Sequence, residues 1–394
     1  MWNPEDIRST TNNIIKTHNL PKHFCILPWA GIETRTDSRA CVCCVMQEPI
    51  DDIDLRTNSI SDAWNSKHLA EIRESFLTGK ARSSCNNCWH EEASGIISRR
   101  EQELYRYHNQ IDKLLESHQY PTYIDLKLGN ICNSKCRICT SFASSKWAAE
   151  QIDQGSDTAK DHLVRGRWPR ENTAFWQDLE KNIQHITSID MFGGEPLMIQ
   201  EHIRILEHCV KQGVAKNISL SYNTNGTIYK PELVELWSEF SDVQLLFSID
   251  GIGERFNYLR HPGRWEEVEA NMHRYKQHAK IGLFCTISAF NIWYIPEICD
   301  WADSVFSDVE LHFNKVFEPK HYSTKCLPEH VKLAVADHLS TSKHYERIKP
   351  WIDFMFTEQY TCWDEHILQR NASDLYRNES YERTFKEFYE VQNG

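Results

Sequence analysis

Residues 123–140 read YIDLKLGNICNSKCRICT, a short alternating run that ends in three cysteines, Cys132, Cys136 and Cys139. Apolar Ile124, Leu126 and Leu128 recur at every second position, which predicts a strand, and Gly129-Asn130 breaks the run just before the first thiol. The cysteines are therefore expected on a loop at the strand's carboxyl end, where α/β folds gather their chemistry. Three thiols spaced C-x3-C-x2-C are one short of a structural zinc site and cannot pair evenly into disulfides. A cubane iron–sulfur cluster fits better, because three thiolates leave one of its four irons open to a ligand that is not protein. The plain alternative is a set of buried small hydrophobes or half of a zinc knuckle.

Further along the chain the pattern is regular. Strand-like runs at 186–192, 218–222, 243–249, 281–287 and 309–313 alternate with helix-like runs at 201–212, 231–240 and 265–278. Such alternation predicts a parallel sheet wound with right-handed crossovers, and the strand before the cysteines makes six. The second strand ends in Met191-Phe192-Gly193-Gly194-Glu195-Pro196, where paired glycines let backbone approach a ligand and a carboxylate can accept from an ammonium group. The next two end in Tyr222-Asn223-Thr224-Asn225-Gly226 and Ser248-Ile249-Asp250-Gly251, polar clusters at the face where strand ends meet; turn-forming caps for the following helices are the alternative. Ser288 and Asn291 fit a further loop on this face.

The cysteine loop and the GGEP run some 55 residues after it resemble the radical S-adenosylmethionine (SAM) superfamily. The resemblance implies an α/β fold with a partial (β/α)6 barrel. It implies a [4Fe-4S] cluster on Cys132, Cys136 and Cys139 whose open iron binds SAM, and reductive cleavage to a 5′-deoxyadenosyl radical. By the same resemblance Gly193, Gly194 and Glu195 receive the SAM amino group, Ser248 and Asp250 the ribose hydroxyls, and Arg260 the carboxylate, with Asn225 lining that side. Ile138 stands where an aromatic residue is common, so adenine would be covered by apolar contact without stacking. The implied activity is hydrogen abstraction from a peptide or small-molecule substrate, fed by a reducing partner such as flavodoxin or ferredoxin. No catalytic acid, base or radical-quenching residue is assigned. A non-catalytic iron–sulfur or zinc-binding scaffold is the rival reading.

A second thiol set precedes the barrel. FCILPWAGIETRTDSRACVCC reads as a β-hairpin with thiols at both ends, and Cys85 and Cys88 stand in SSCNNCW just past a helical run at 60–77, with Ser61 or Asp62 as its cap and Gly79 as its stop. Four thiolates so placed can hold one zinc or one cubane. The arrangement resembles the SPASM/twitch auxiliary-cluster module, here placed before the barrel, which implies an auxiliary [4Fe-4S] cluster on Cys25, Cys43, Cys85 and Cys88. Cys44 is the rival to Cys43, and Cys41 is spare.

The expected domains are a twitch-like α+β iron–sulfur module with linker helix at 1–118, the partial barrel at 119–320 and a helical extension at 321–394. The polar stretch 151–172 reads as an inserted loop anchored at Trp168-Pro169, a candidate lid. A net charge of −12 disfavours a phosphate-tracking surface, so nucleic acid is not the expected partner. There is no apolar run of about 18 residues and no signal-peptide pattern at the start, so the expected setting is cytoplasmic, away from membranes. Nine of the 14 cysteines fall in three tight groups, which in such a setting means metal; Cys209, Cys285, Cys299, Cys326 and Cys362 read as fillers.

Overall fold

The structure, a computed structural model, describes residues 3–46, 48–116, 119–316 and 318–394. The expected domain boundary at residue 118 lies outside them. Two compact units divide the chain. The first takes the residues up to Cys132 with Ser141–Tyr222 and Lys230–Val243, and the second takes Asn133–Thr140, Asn223–Tyr229 and Gln244–Gly394.

In the first unit the predicted hairpin forms from β1 (Gly31–Thr34) and β2 (Ala40–Cys41), antiparallel with Glu33 opposite Cys41. It does not stand alone. β1 also runs parallel to β3 (Tyr123–Lys127), followed by β4 (Ser188–Phe192) and β5 (Ser219–Thr224), in the order β2-β1-β3-β4-β5. All four residues of β1 are buried, which is what a parallel strand covered on both faces requires. Residues 60–77 form two helices rather than one, Ile60–Trp64 and Lys67–Leu77. Their caps explain the break: Ser59 and Asp62 close a capping box on the first, and Ser66 accepts from Leu69 N to start the second. Neither Ser61 nor Asp62 is the N-cap.

The stretch 151–172 is likewise ordered, correcting its reading as a structureless lid. Helices Asp157–Arg165 and Trp168–Glu171 fill it, the first capped by Ser156 and the second carrying Pro169 in its first turn. Trp168 is fully buried and donates from Nε1 to Arg35 O at 3.1 Å, so this segment is packed onto the hairpin. Its polarity misled because short capped helices need few apolar residues when one tryptophan supplies the anchor.

The second unit is built on β6 (Asp242–Ser248), β7 (Lys280–Ile287) and β8 (Glu310–Lys315), parallel neighbours in that order. Helices Trp265–Tyr275 and Ile295–Val305 supply the crossovers that parallel strands need. Beyond β8 the chain is helical at 329–340, 345–356, 363–377 and 386–393. Cys209, Cys285, Cys299 and Cys326 are buried core residues, as expected, and Cys362 is partly exposed. Both units thus show the mostly parallel α/β class. No helix among the described residues is long and apolar enough to cross a membrane.

His366 marks how the helical extension is held. It is fully buried, lies 4.7 Å from the rings of both Phe290 and Trp363, and pairs through Nδ1 with His321 O at 2.9 Å. Burial, helped by the nearby Arg370 charge, lowers its pKa to about 3. Unfolded, the ring takes a proton near pH 6.5. The unfolded state therefore binds more protons between those values, and stability present above about pH 6.5 is lost as the pH falls through that window. Thermal unfolding should show Tm dropping between about pH 7 and pH 5, with a shallower dependence in His366→Leu.

Candidate functional site

Cys132 belongs to the first unit, and Cys136 and Cys139 to the second. In the first unit, the 193–195 turn docks on the start of the cysteine loop through its backbone. Glu195 N donates to Ile131 O at 2.7 Å, and Cys132 N donates to Ser145 Oγ at 3.2 Å. Gly193 and Gly194 have φ of +76° and +60°, and a Cβ on Gly194 would stand 2.4 Å from Ile131 O. Only glycine meets both conditions, the left-handed backbone and the close approach. Glu195 is fully buried, with Oε1 accepting from Leu197 N at 3.2 Å.

The second unit frames the other two thiols. Lys135 N and Arg137 N donate to His261 O and Leu259 O at 2.6 and 2.8 Å, so the loop lies along the 259–261 segment. Arg260 therefore reaches inward: Nη2 pairs with Asp250 Oδ2 at 2.7 Å and Nη1 lies 3.8 Å from Cys136 Sγ. Burial raises the Cys136 thiol above its ordinary pKa while Arg260 pulls it back; Cys139, without so strong a partner, is pushed up to about 12, chiefly by burial. A guanidinium beside one thiol favours its thiolate, the form a metal needs. Asp250 also accepts from Thr286 N through Oδ1 at 2.9 Å, and its carbonyl accepts from Asn291 Nδ2 at 2.9 Å. Asn291 in turn holds Ser288 N at 2.8 Å. Asn225 braces the loop from below, donating to Asn133 Oδ1 at 2.8 Å and Ser134 Oγ at 3.1 Å. Ser248 ends β6 and Ile138 is half-exposed on the loop.

The auxiliary thiols all lie in the first unit. The charges of Cys88 and Cys85 each raise the pKa of Cys25, and those of Cys44, Cys25 and Cys88 raise that of Cys43, in every case after burial. These sulfurs thus lie within electrostatic reach of one another, Cys25 and Cys88 buried and Cys43 and Cys85 half-buried. Cys44 differs: after burial, its neighbours in charge are Arg99, Glu33, Lys127 and Asp125.

Two features were missed. Arg137, between the second and third loop cysteines, is buried and pairs with Asp374 Oδ1 at 2.7 Å and with Glu379, with its guanidinium 3.9 Å above the Tyr258 ring. Arg377 Nη1 also donates to Lys135 O at 2.9 Å. The carboxyl-terminal helices therefore hold the cysteine loop. Nothing in the sequence pairs residue 137 with residues more than 230 positions away. The second feature was legible: Tyr123, Asp125 and Lys127 are the polar half of the β3 alternation, and in a strand buried on both faces they mark a polar interior.

Residues 126–302 match the family model of the Radical SAM superfamily, so the chain carries a Radical SAM domain, which implies SAM and a [4Fe-4S] cluster. No curated protein matches the chain. Among solved structures, SuiB of Streptococcus suis bound to S-adenosylmethionine is 14% identical at a TM-score of 0.37, covering 73% of this chain and 62% of that one. SuiB bound to precursor peptide SuiA is 14% identical at 0.36, over 81% and 69%. TYW1 with a lysine-pyruvate adduct is 14% identical at 0.31, over 56% and 74%. The chain spans less than two thirds of the first of these.

Two substitutions test the framing of the loop. Gly194→Ala adds a Cβ where Ile131 O already stands and should displace the turn, cutting iron retained by the reconstituted protein while the far-UV circular dichroism stays native. Arg137→Met leaves Asp374 and Glu379 without their buried cation and should cost about 3 kcal/mol in denaturant unfolding.

Proposed function

We propose that this protein is a radical SAM enzyme acting on a peptide or small-molecule substrate, with a twitch-like auxiliary [4Fe-4S] module at 1–118, a partial barrel at 119–320 and a helical extension at 321–394. The observation that carries the reading is the docking of Gly193-Gly194-Glu195 on the backbone of the C-x3-C-x2-C loop, the Glu195 N to Ile131 O bond of 2.7 Å, within the stretch that matches the family model.

The residues fit the groups they would hold. Cys132, Cys136 and Cys139 stand on a single loop and form no disulfide, and the glycine turn leaves a cradle that a Cβ would fill. When bound, the cluster and SAM supply a 5′-deoxyadenosyl radical through reductive cleavage. Glu195, fully buried, accepts an ammonium group beside the bare backbone of Gly193 and Gly194. Asp250 and Ser248 at the end of β6 receive ribose hydroxyls, and Arg260, fixed by Asp250, presents a cation to both the Cys136 sulfur and a carboxylate. Asn225 and Ile138 line the same side. Arg137 and Arg377 keep the loop in register, so that little reorganisation remains when the cofactor binds.

For the auxiliary site, Cys25, Cys43, Cys85 and Cys88 support a cubane over zinc. The support is the module they resemble, in which a thiol-bearing hairpin and a C-x2-C after a helix hold a [4Fe-4S] cluster. Because burial raises these thiols, Cys88 to about 12, loading must displace protons and should improve as pH rises. With four protein ligands this cluster has no open iron and serves electron transfer. A flavodoxin- or ferredoxin-type reductant would supply the first electron.

Anaerobic reconstitution should give about eight irons per chain, with roughly half retained when Cys132, Cys136 and Cys139 are all changed to alanine. Reductant and SAM should then yield 5′-deoxyadenosine, and the triple variant should yield none. Well-loaded protein that produces no 5′-deoxyadenosine would sink the enzyme reading in favour of an iron–sulfur scaffold. Little iron with stoichiometric zinc would sink the auxiliary cluster.

A further inference from the structure

Beside the auxiliary thiols, the first unit holds a donor set that neither proposed cluster uses. Glu33 on β1 and Asp125 on β3 are in-register partners on parallel strands, so their side chains share one face of the sheet. With the thiol of Cys44 they form a group in which one ligand atom from each residue lies within 4.8 Å of the others. Glu33 is 2% exposed and Asp125 1%.

Each of these carboxylates is only half satisfied. Lys127 Nζ bonds to Glu33 Oε1 at 2.9 Å and to Asp125 Oδ2 at 2.7 Å, and Arg35 Nε adds to Glu33 Oε1 at 3.4 Å. The second oxygen of each, Glu33 Oε2 and Asp125 Oδ1, is buried and has no hydrogen-bond partner. Two orphaned carboxylate oxygens on neighbouring strands are costly in a buried setting, and a cation is the ligand that removes the cost. Monodentate carboxylate ligands whose far oxygens are held by a hydrogen-bond donor are the usual arrangement around a protein-bound metal, and Lys127 is such a donor to both. Its stem is fixed in turn, since a Cβ on Gly193 would stand 2.9 Å from Lys127 Cβ.

We propose that Glu33, Asp125 and Cys44 form a binding site for one divalent transition-metal ion of the zinc class, each carboxylate giving the oxygen that Lys127 leaves free. Two carboxylates and one thiolate are borderline donors that suit zinc over magnesium or calcium, and three protein ligands leave a fourth position open to a substrate heteroatom. Binding forms one metal–sulfur bond and releases the Cys44 proton to solvent. Closing the group by about 1 Å meets ordinary bond lengths, and Cys44, which is exposed, is the member free to move. The inference rests on the reading that Cys43 and not Cys44 completes the auxiliary cluster.

The test loads both clusters anaerobically, adds Zn2+, removes unbound metal by gel filtration over a weak chelator, and counts iron and zinc per chain. The expected result is about one zinc on top of full iron, with zinc affinity falling at least tenfold in Cys44→Ser, Glu33→Gln and Asp125→Asn while iron is unchanged. Cys44→Ser is the decisive variant, because exchanging one atom in a residue exposed on the turn after β2 leaves the fold intact even if a buried carboxylate variant misfolds. Full iron with no retained zinc overturns the site. Zinc held equally by wild type and Cys44→Ser also overturns it. A loss of iron in Cys44→Ser overturns it differently, by showing that Cys44 is the auxiliary ligand.

Discussion

Three carboxylates in register on one face of a buried sheet constrain the first unit. Glu33, Asp125 and Asp190 occupy adjacent positions across β1, β3 and β4 and are nearly inaccessible to water. Burial pushes both Asp125 and Asp190 above the usual carboxylate range, so each must find cations or donors or give up its charge. The surrounding sequence answers residue by residue. Lys127 serves Glu33 and Asp125, and Tyr123 donates to Asp190 Oδ2 at 2.8 Å. Arg99 reaches the same hydroxyl at 3.1 Å, and Arg106 donates to Ser188 Oγ at 2.8 Å. The two arginines are seven residues apart on the helix Arg99–Arg106, two turns, which puts both on one face with Glu103 between them. A helix that reads as a charged linker is therefore the counter-charge of the sheet.

The second unit solves a different problem, that of holding a cysteine loop with almost no apolar side chains of its own. Asn133, Ser134, Lys135 and Arg137 are each bonded: to Thr227 at 2.8 Å, to Asn225, to His261 O and Arg377, and to Asp374 and Glu379. The residues between the thiols carry the positioning of the loop. This arrangement suits a site whose ligands must keep one geometry while the cofactor turns over. It also accounts for the helical extension, which buries His366, Tyr381 and Phe385 so that the Asp374–Glu379 segment stays in place.

How much of this was legible follows from what local patterns encode. All six expected strands formed within a few residues of their predicted bounds, because alternation and apolar runs report burial directly. The hairpin formed too, yet its pairing with β3 was invisible, since Ile32-Glu33-Thr34 carries no sign of which edge it will join. The break at Asn65-Ser66 was readable in principle from the second capping serine. The ordering of 151–172 was not, because one tryptophan decided it. At the candidate site, the thiols, the glycine turn and the polar strand ends were proposed from type and spacing. Arg137 and the 374–379 carboxylates were not, because long-range ion pairs leave no periodicity.

Cys43 and Cys44 show how far adjacency in sequence can diverge from chemical role. The sequence treats the two thiols as rivals for one metal. In the fold, after burial, the thiol charges that bear on Cys43 are those of Cys44, Cys25 and Cys88, while Cys44 stands among Arg99, Glu33, Lys127 and Asp125. Glu33 bears on both thiols, but the other charges around Cys43 are thiols, whereas those around Cys44 are two cations and a second carboxylate. The turn that follows β2 thus gives consecutive cysteines different charged surroundings, so adjacency in the chain does not make them interchangeable.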